Sequence, residues 1–161
     1  MSMRASKSAF TLVEILIVVI ILGILAGIVI PNITGVTVIS RETNLKENLS
    51  KIRAQVQVYR QQHASFPEGT EFVDQMTKYT DFDGDVADTQ SGDYRYGPYL
   101  EQMPSNPVTM DATIRTTSDP AGRYPPGDQN GGWWYNEVTG DFYADLTDVH
   151  VDNEGNPYNR F

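Results

Sequence analysis

The sequence that decides the fold is Phe10-Thr11-Leu12-Val13-Glu14, followed by ILIVVIILGILAGIVI at residues 15–30. Between Ile15 and Ile30 no residue is charged or strongly polar. A helix of about 20 apolar residues matches the roughly 30 Å hydrocarbon core of a bilayer. A chain of 161 residues could hardly wrap a buried helix that is apolar on every face. We therefore predict one transmembrane helix over residues 10–31.

Two basic residues, Arg4 and Lys7, precede the apolar run. Positive charges favour the cytoplasmic side, so we expect everything after Pro31 to face away from the cytoplasm. A cleaved signal peptide would have an apolar region of about 7–15 residues that ends at a small-residue site. Here the run is longer and passes through Pro31 into a helical pattern, so we expect it to be retained.

Composition limits the classes of protein that the chain could belong to. Its 161 residues are 40% apolar, which is enough for about one folded domain. The chain has no cysteine, and this excludes disulfide scaffolds, cysteine-ligated zinc, iron–sulfur clusters and thiol nucleophiles.

Glu14 is the one ionisable residue within the predicted span. A carboxylate at that depth costs on the order of 2.5–3.5 kcal/mol on insertion scales, so it requires a partner. No Lys, Arg or His lies within residues 10–31. The alternative is a glutamate that is protonated or drawn to the interface.

Residues 10–14 and the apolar run resemble the N-terminal signature of type IV pilins and type II secretion pseudopilins. In that family a prepilin peptidase cuts before the Phe on the cytoplasmic face and methylates the new amine. The mature chain has glutamate fifth and proline twenty-second, and Glu14 and Pro31 hold these places when Phe10 is first. The residue before the cut is usually Gly, and here it is Ala9.

The resemblance implies a processing site at Ala9 and Phe10 and a partner for Glu14. The charged amine of Phe10 in one subunit would pair with Glu14 of another, because the attraction is strong in a low-dielectric interior. Phe10 and Glu14 are also four residues apart, so the pair could form within one chain.

Three more residues of the apolar segment are candidates for a role in assembly. Gly23 and Gly27 form a GxxxG pattern, which allows either close helix packing or local weakening of the helix. Pro31 removes a helical hydrogen bond, so the helix should bend or open most easily in this region.

Beyond the span an amphipathic stripe continues the helix to about His63. It consists of Leu45, Leu49, Ile52, Val56 and Tyr59, at spacings of 3 and 4. We predict that this stripe docks onto a globular head. The predicted segments are a leader at 1–9, the span at 10–31, the amphipathic helix at 32–64 and the head at 65–161. The fold class is α+β, and the family resemblance implies a lollipop shape.

The head is predicted to contain a short helix at 71–79, a long loop at 80–111, and strands at 113–117, 133–136 and 141–146. The last two strands form a hairpin in an antiparallel sheet that packs on the helix. Aromatic residues are expected to fill that interface: Trp133, Trp134, Tyr135, Phe142 and Tyr143. Two head segments, GPYLEQMPSNP and GGWWYNEVTGDFYAD, look similar to the heads of G-type major pseudopilins.

Charge divides the part after the span into two regions. Residues 36–64 contain five basic and two acidic residues, a net charge of +3, whereas residues 65–161 contain five basic and eighteen acidic residues, a net charge of −13. The basic helix of one subunit could face the acidic head of a neighbour, or the charge could simply keep the head solvated. An acidic head repels phosphate, so we expect no nucleic-acid partner.

Alternating carboxylates around Gly84 offer oxygens of the kind that calcium prefers. They are Asp81, Asp83, Asp85 and Asp88. The spacing is not that of an EF-hand. Family members of the G type bind calcium in the head, so the two interpretations are a calcium site and a solvated acidic turn. No cofactor is expected to be required.

The predicted function is that of a structural subunit of a type II secretion pseudopilus in the bacterial inner membrane, with its N-terminus cytoplasmic and its head periplasmic or extracellular. The implied partners are like subunits, minor pseudopilins, prepilin peptidase, the inner-membrane assembly platform and the lipid bilayer. The alternative is a type IV pilin of a surface pilus. A membrane-anchored hydrolase is a remote alternative, because no motif of a catalytic site is evident.

Overall fold

The computed structural model describes residues 11–161 except 130 and 153, and for residues 27–37 it describes the backbone alone. The chain divides into two compact units, Met1–Ser40 and Arg41–Phe161. The long helix α1 (Leu12–His63) supplies the described part of the first unit and the first segment of the second. The fold class is α+β, as predicted, and the predicted segment limits remain predictions.

In the first unit the described residues after Thr11 form only helix. Every large apolar side chain from Leu12 to Leu25 is at least 51% exposed. Among the helical residues whose side chains are described, no stretch is both long and apolar enough to cross a bilayer. The predicted span at 10–31 includes Phe10 and the side chains of residues 27–31, which lie outside the described part.

In the second unit the predicted stripe of α1 lies in the core. Its five residues, Leu45, Leu49, Ile52, Val56 and Tyr59, are at most 1% exposed. They share one apolar cluster with the second helix, α2 (Phe72–Thr77), and with aromatic residues of the sheet. The prediction that this face docks onto the head is therefore confirmed. The helix ends at His63, where the sequence placed its end, and Ala64 follows with a positive φ of 58°.

The main sheet has three strands, β3 (Ile114–Thr117), β4 (Trp133–Asn136) and β5 (Phe142–Ala144), in that order. The β4–β5 hairpin is antiparallel, as predicted. The prediction of a wholly antiparallel sheet was wrong, because β3 pairs parallel to β4. A parallel connection needs about a dozen residues or more, and the segment 118–132 is long enough to return the chain to the starting edge.

A glycine is required in the hairpin between β4 and β5. Gly140 has a φ of +75°, and a Cβ at this position would lie 2.2 Å from Cε1 of Phe66. Any side chain here would meet both the unfavourable backbone conformation and the packed ring.

Two elements were not predicted. A two-stranded antiparallel ribbon, β1 (Tyr79–Thr80) and β2 (Val86–Ala87), replaces the end of the helix predicted at 71–79 and the start of the loop predicted at 80–111. A 3₁₀ turn occupies Tyr158–Arg160. Strands of two residues are too short to show an alternating pattern of apolar side chains.

Candidate assembly site

The first turn of α1 contains a reciprocal hydrogen-bonded cap. The Thr11 backbone N–H and hydroxyl both donate to Oε2 of Glu14, at 2.9 and 3.0 Å, and the Glu14 N–H donates to the Thr11 hydroxyl at 3.2 Å. This arrangement is a capping box, which satisfies backbone N–H groups that a helix start leaves unpaired. The sequence carries a signal for this cap that was missed: Thr11 is followed three residues later by Glu14.

The cap uses one oxygen of the Glu14 carboxylate. Among the described residues, Oε2 accepts both hydrogen bonds from Thr11, and none is donated to Oε1. Glu14 can therefore hold the start of its own helix and still offer an oxygen to a cation from elsewhere.

The other predicted assembly and processing residues are described less completely. Ala9 and Phe10 lie outside the described residues, as do the side chains of residues 27–37, which include Pro31. The backbone at Gly27 and Pro31 is helical. Gly23 lies in α1, and a Cβ built on it meets no atom within 4 Å. The surface of α1 at Gly23 is therefore open to contact with a neighbouring subunit or with lipid.

The predicted calcium residues form a hydrogen-bonded turn. One oxygen of Asp81, Oδ1, accepts the backbone N–H groups of Asp83 and Asp85, each at 3.0 Å. Asp88 lies 3.5 Å from Nζ of Lys78. Within the described part of the chain, no three metal-ligating side chains come together in a group. Calcium binding at this turn stays a prediction.

A similar turn forms near the end of the chain. Oδ1 of Asp152 accepts the N–H groups of Glu154 and Asn156, each at 2.8 Å. Hydrogen bonds, first of all from the Asn156 side chain, lower the pKa of Asp152. The local backbone and side chains therefore stabilise the charged form of this carboxylate.

The predicted aromatic residues lie in two environments, the apolar core and contacts with arginine side chains. Trp133, Tyr135 and Phe142 belong to the core cluster that includes the α1 stripe. Trp134 and Tyr143 are also buried, but the ring of Trp134 lies 5.0 Å from the Arg115 guanidinium, and the ring of Tyr143 lies 4.8 Å from that of Arg53. Because Arg53 belongs to α1, Tyr143 also contacts the long helix. The prediction that these residues fill the interface between sheet and helix therefore holds for four of them, and Trp134 contacts Arg115 of β3 instead.

An ion-pair network holds the edge strand of the sheet. Arg115 of β3 contacts Asp128 at 2.6 Å and the fully buried Asp145 at 2.7 Å. A buried carboxylate needs a charged partner of this kind to offset its loss of hydration. These ion pairs link β3 to the end of β5 and to the 118–132 segment, so their role is to stabilise the fold of the head.

Comparison with known proteins agrees with the N-terminal geometry. Residues 4–30 match the model of the prokaryotic N-terminal methylation motif. The chain is 28% identical over 104 residues to type II secretion system core protein G of Pseudomonas aeruginosa, which covers 65% of this chain and 70% of that protein. It is 26% identical over 120 residues to the protein of the same name from Vibrio cholerae, covering 74% and 77%.

A third relative, core protein G of Aeromonas hydrophila, is 26% identical over 104 residues, which cover 65% of this chain and 69% of that protein. No solved structure shows significant similarity to the chain. The methylation motif and these relatives together show that the chain is similar to the G-type pseudopilins of type II secretion systems.

Proposed function

We propose that the chain is a structural subunit of a type II secretion pseudopilus. It is anchored in the inner membrane by residues 10–31, cut between Ala9 and Phe10, and polymerised through α1. The observation that carries the proposal is the surface of the first unit. There, twelve large apolar side chains between Leu12 and Leu25 are exposed around Glu14, the one acidic residue of that stretch.

An apolar surface of this extent must be shielded from water by lipid or by another protein, because the described residues of the first unit do not bury it. Contiguous exposed apolar patches in proteins mark contacts with membranes or with other proteins. A subunit that passes from the bilayer into a filament uses both covers in succession. In the proposal, lipid covers residues 10–31 before assembly, and neighbouring copies cover them afterwards.

Glu14 supplies the polar contact that sets the register of neighbouring copies. Cleavage creates a cationic amine on Phe10, and methylation keeps its charge. That amine approaches Oε1 of Glu14 in a neighbour, while Oε2 keeps the hydrogen bonds from Thr11. The contact neutralises both charges where hydration is weak, so its loss is costly there.

The partners follow from this cycle. Prepilin peptidase processes the chain, the inner-membrane assembly platform inserts it into the filament, and like subunits and minor pseudopilins surround it. The N-terminus is cytoplasmic and the head periplasmic. The proposal assigns no catalytic reaction to the chain and requires no cofactor, and calcium at the Asp81 turn is an optional addition.

The experiment is to overproduce the full chain with its secretion system, shear the fibres from the cells, and measure the intact mass of the fibre protein. The expected mass lacks residues 1–9 and carries one added methyl group. Fibres that contain the uncut chain would contradict the processing step. A processed chain that stays monomeric in the membrane would contradict the structural role.

A further inference from the structure

Two arginines and two tyrosines form a surface cluster on the second unit. The guanidinium groups of Arg123 and Arg160 lie 5.5 and 5.4 Å from the ring centre of Tyr124. The Tyr124 ring lies 5.0 Å from that of Tyr143. We call these four residues, Arg123, Tyr124, Tyr143 and Arg160, the Arg–Tyr patch. Both arginines are exposed, and 38% of the Tyr124 surface is exposed.

The charge of this patch is opposite to that of the rest of the head. Residues 65–161 have five basic and eighteen acidic residues, and two of the five basic residues are in the patch. Lys78 and Arg115 each have a carboxylate within 4 Å, but among the described residues neither Arg123 nor Arg160 has one. Arginine and tyrosine are enriched at the energetic centres of protein interfaces. The patch therefore has the composition of a binding surface for an acidic, partly aromatic partner.

A surface of that chemistry lies on the same chain. The acidic turn, residues 81–85, carries Asp83 and Asp85, both exposed, on either side of Gly84, and the ring of Phe82 is 54% exposed. Its backbone is held in place, because His63 hydrogen bonds to the Phe82 carbonyl through Nδ1 at 3.1 Å and the Gln75 amide donates to the Gly84 carbonyl at 3.1 Å. A turn fixed in this way loses little conformational freedom when it binds.

The Arg–Tyr patch and the acidic turn contact α1 at different positions along its axis. Tyr143 of the patch packs on Arg53, whereas Phe82 of the turn hydrogen bonds to His63. These α1 residues are ten positions apart, or about 15 Å at 1.5 Å per residue. A contact between two different surfaces of like copies is heterologous, and when it does not close into a ring it produces an open filament.

We propose that the Arg–Tyr patch of one copy binds the acidic turn of the next copy. In this contact Arg123 and Arg160 face Asp83 and Asp85, and Phe82 packs against Tyr124. The inference rests on the proposed function, because it assigns the head its own contact in the filament. It is separate from the Glu14 contact, which lies in the first unit.

The absence of cysteine in the chain allows a direct test in cells that express the full chain. One tagged copy carries Ala121→Cys, two residues before Arg123 of the patch, and a second copy carries Thr89→Cys, an exposed position four residues after the turn. A bismaleimide joins the two. We expect cross-linked pairs of the two copies. Either variant expressed alone should give none, because the contact joins unlike surfaces.

Charge reversal then tests the chemistry of the contact. R123D with R160D should lower the cross-link yield by about tenfold, because like charges then face each other. Adding D83R and D85R to the same chain should restore the yield. A reversed pair of charges that recovers the contact cannot be explained by a misfolded head.

Four results would overturn the proposal. The first is an unchanged cross-link yield after R123D with R160D, and the second is a failure of the quadruple variant, with D83R and D85R added, to restore that yield. The third is cross-linking of two Ala121→Cys copies to each other, and the fourth is cross-linking of Ala121→Cys to a different protein. If fibres form normally while any of these is observed, only this inference fails. If the wild-type chain forms no fibres, the proposed function fails, and this inference fails with it.

Discussion

The two parts of α1 use apolar residues in opposite ways. In the first unit the apolar residues surround the helix, and those from Leu12 to Leu25 are at least 51% exposed. In the second unit they form one stripe, from Leu45 to Tyr59, that is at most 1% exposed. A helix that is apolar on all sides needs a cover from outside its own fold, whereas a striped helix can be covered by one partner surface. The difference separates the part of the helix to which we assign assembly from the part that builds the folded head.

The largest expected effect comes from removing a leucine side chain from each part of α1. Leu49→Ala should lower the free energy of unfolding of the head by about 2–5 kcal/mol, because it leaves a cavity beside fully buried neighbours. Leu16→Ala should leave that free energy unchanged, because Leu16 is exposed in the first unit. Denaturant unfolding of the detergent-solubilised full chain, followed by tryptophan fluorescence, measures both. Equal losses from the two variants would refute the division.

A second prediction concerns charge inside the folded part. Arg115→Met should destabilise the head by about 3 kcal/mol, because it leaves the fully buried Asp145 without its guanidinium partner. The matched control is Arg95→Met, since Arg95 is exposed and its guanidinium contacts the ring and hydroxyl of Tyr96. The control should change the unfolding free energy by less than about 1 kcal/mol. A control as damaging as Arg115→Met would show that burial of Asp145 is not the cause.

The smallest predicted effect depends on pH. Hydrogen bonds from the Thr113 backbone and hydroxyl lower the pKa of Asp111. Because the folded-state pKa is below the unfolded value of about 3.9, this contribution is present above that value and disappears as the pH falls through the folded-state pKa. Asp111→Asn should therefore be slightly less stable than wild type at pH 6, and the difference should shrink toward pH 3. A difference that stays constant over this range would exclude the linkage.

Much of the fold follows from patterns that the sequence displays directly. The α1 stripe, its end at His63, the short helix α2 and the β4–β5 hairpin all carry periodic or turn signals, and the structure has them. The parallel pairing of β3 with β4 was missed, because strand direction depends on the path of residues 118–132. That path is fixed by tertiary contacts, such as the hydrogen bonds from Asn136 to the carbonyls of Asp119 and Gly122.

The candidate site was predictable in part. Glu14 stood out because a carboxylate in an apolar run demands an explanation, and Thr11 could have been named with it from the capping-box spacing. The Arg–Tyr patch could not have been found in this way. Its arginines are 37 residues apart in the chain, and only the packing of the final 3₁₀ turn beside Tyr124 brings them together.

The role of Glu14 in joining subunits is tested by two substitutions that each remove one negative charge from α1. Glu14→Gln lies in the exposed apolar part, and Glu47→Gln lies at an exposed position of the second unit. We expect Glu14→Gln to be inserted and processed but to yield few or no sheared fibres, and Glu47→Gln to yield fibres at the wild-type level. Normal fibre yield from Glu14→Gln would contradict the claim that this carboxylate joins one subunit to the next.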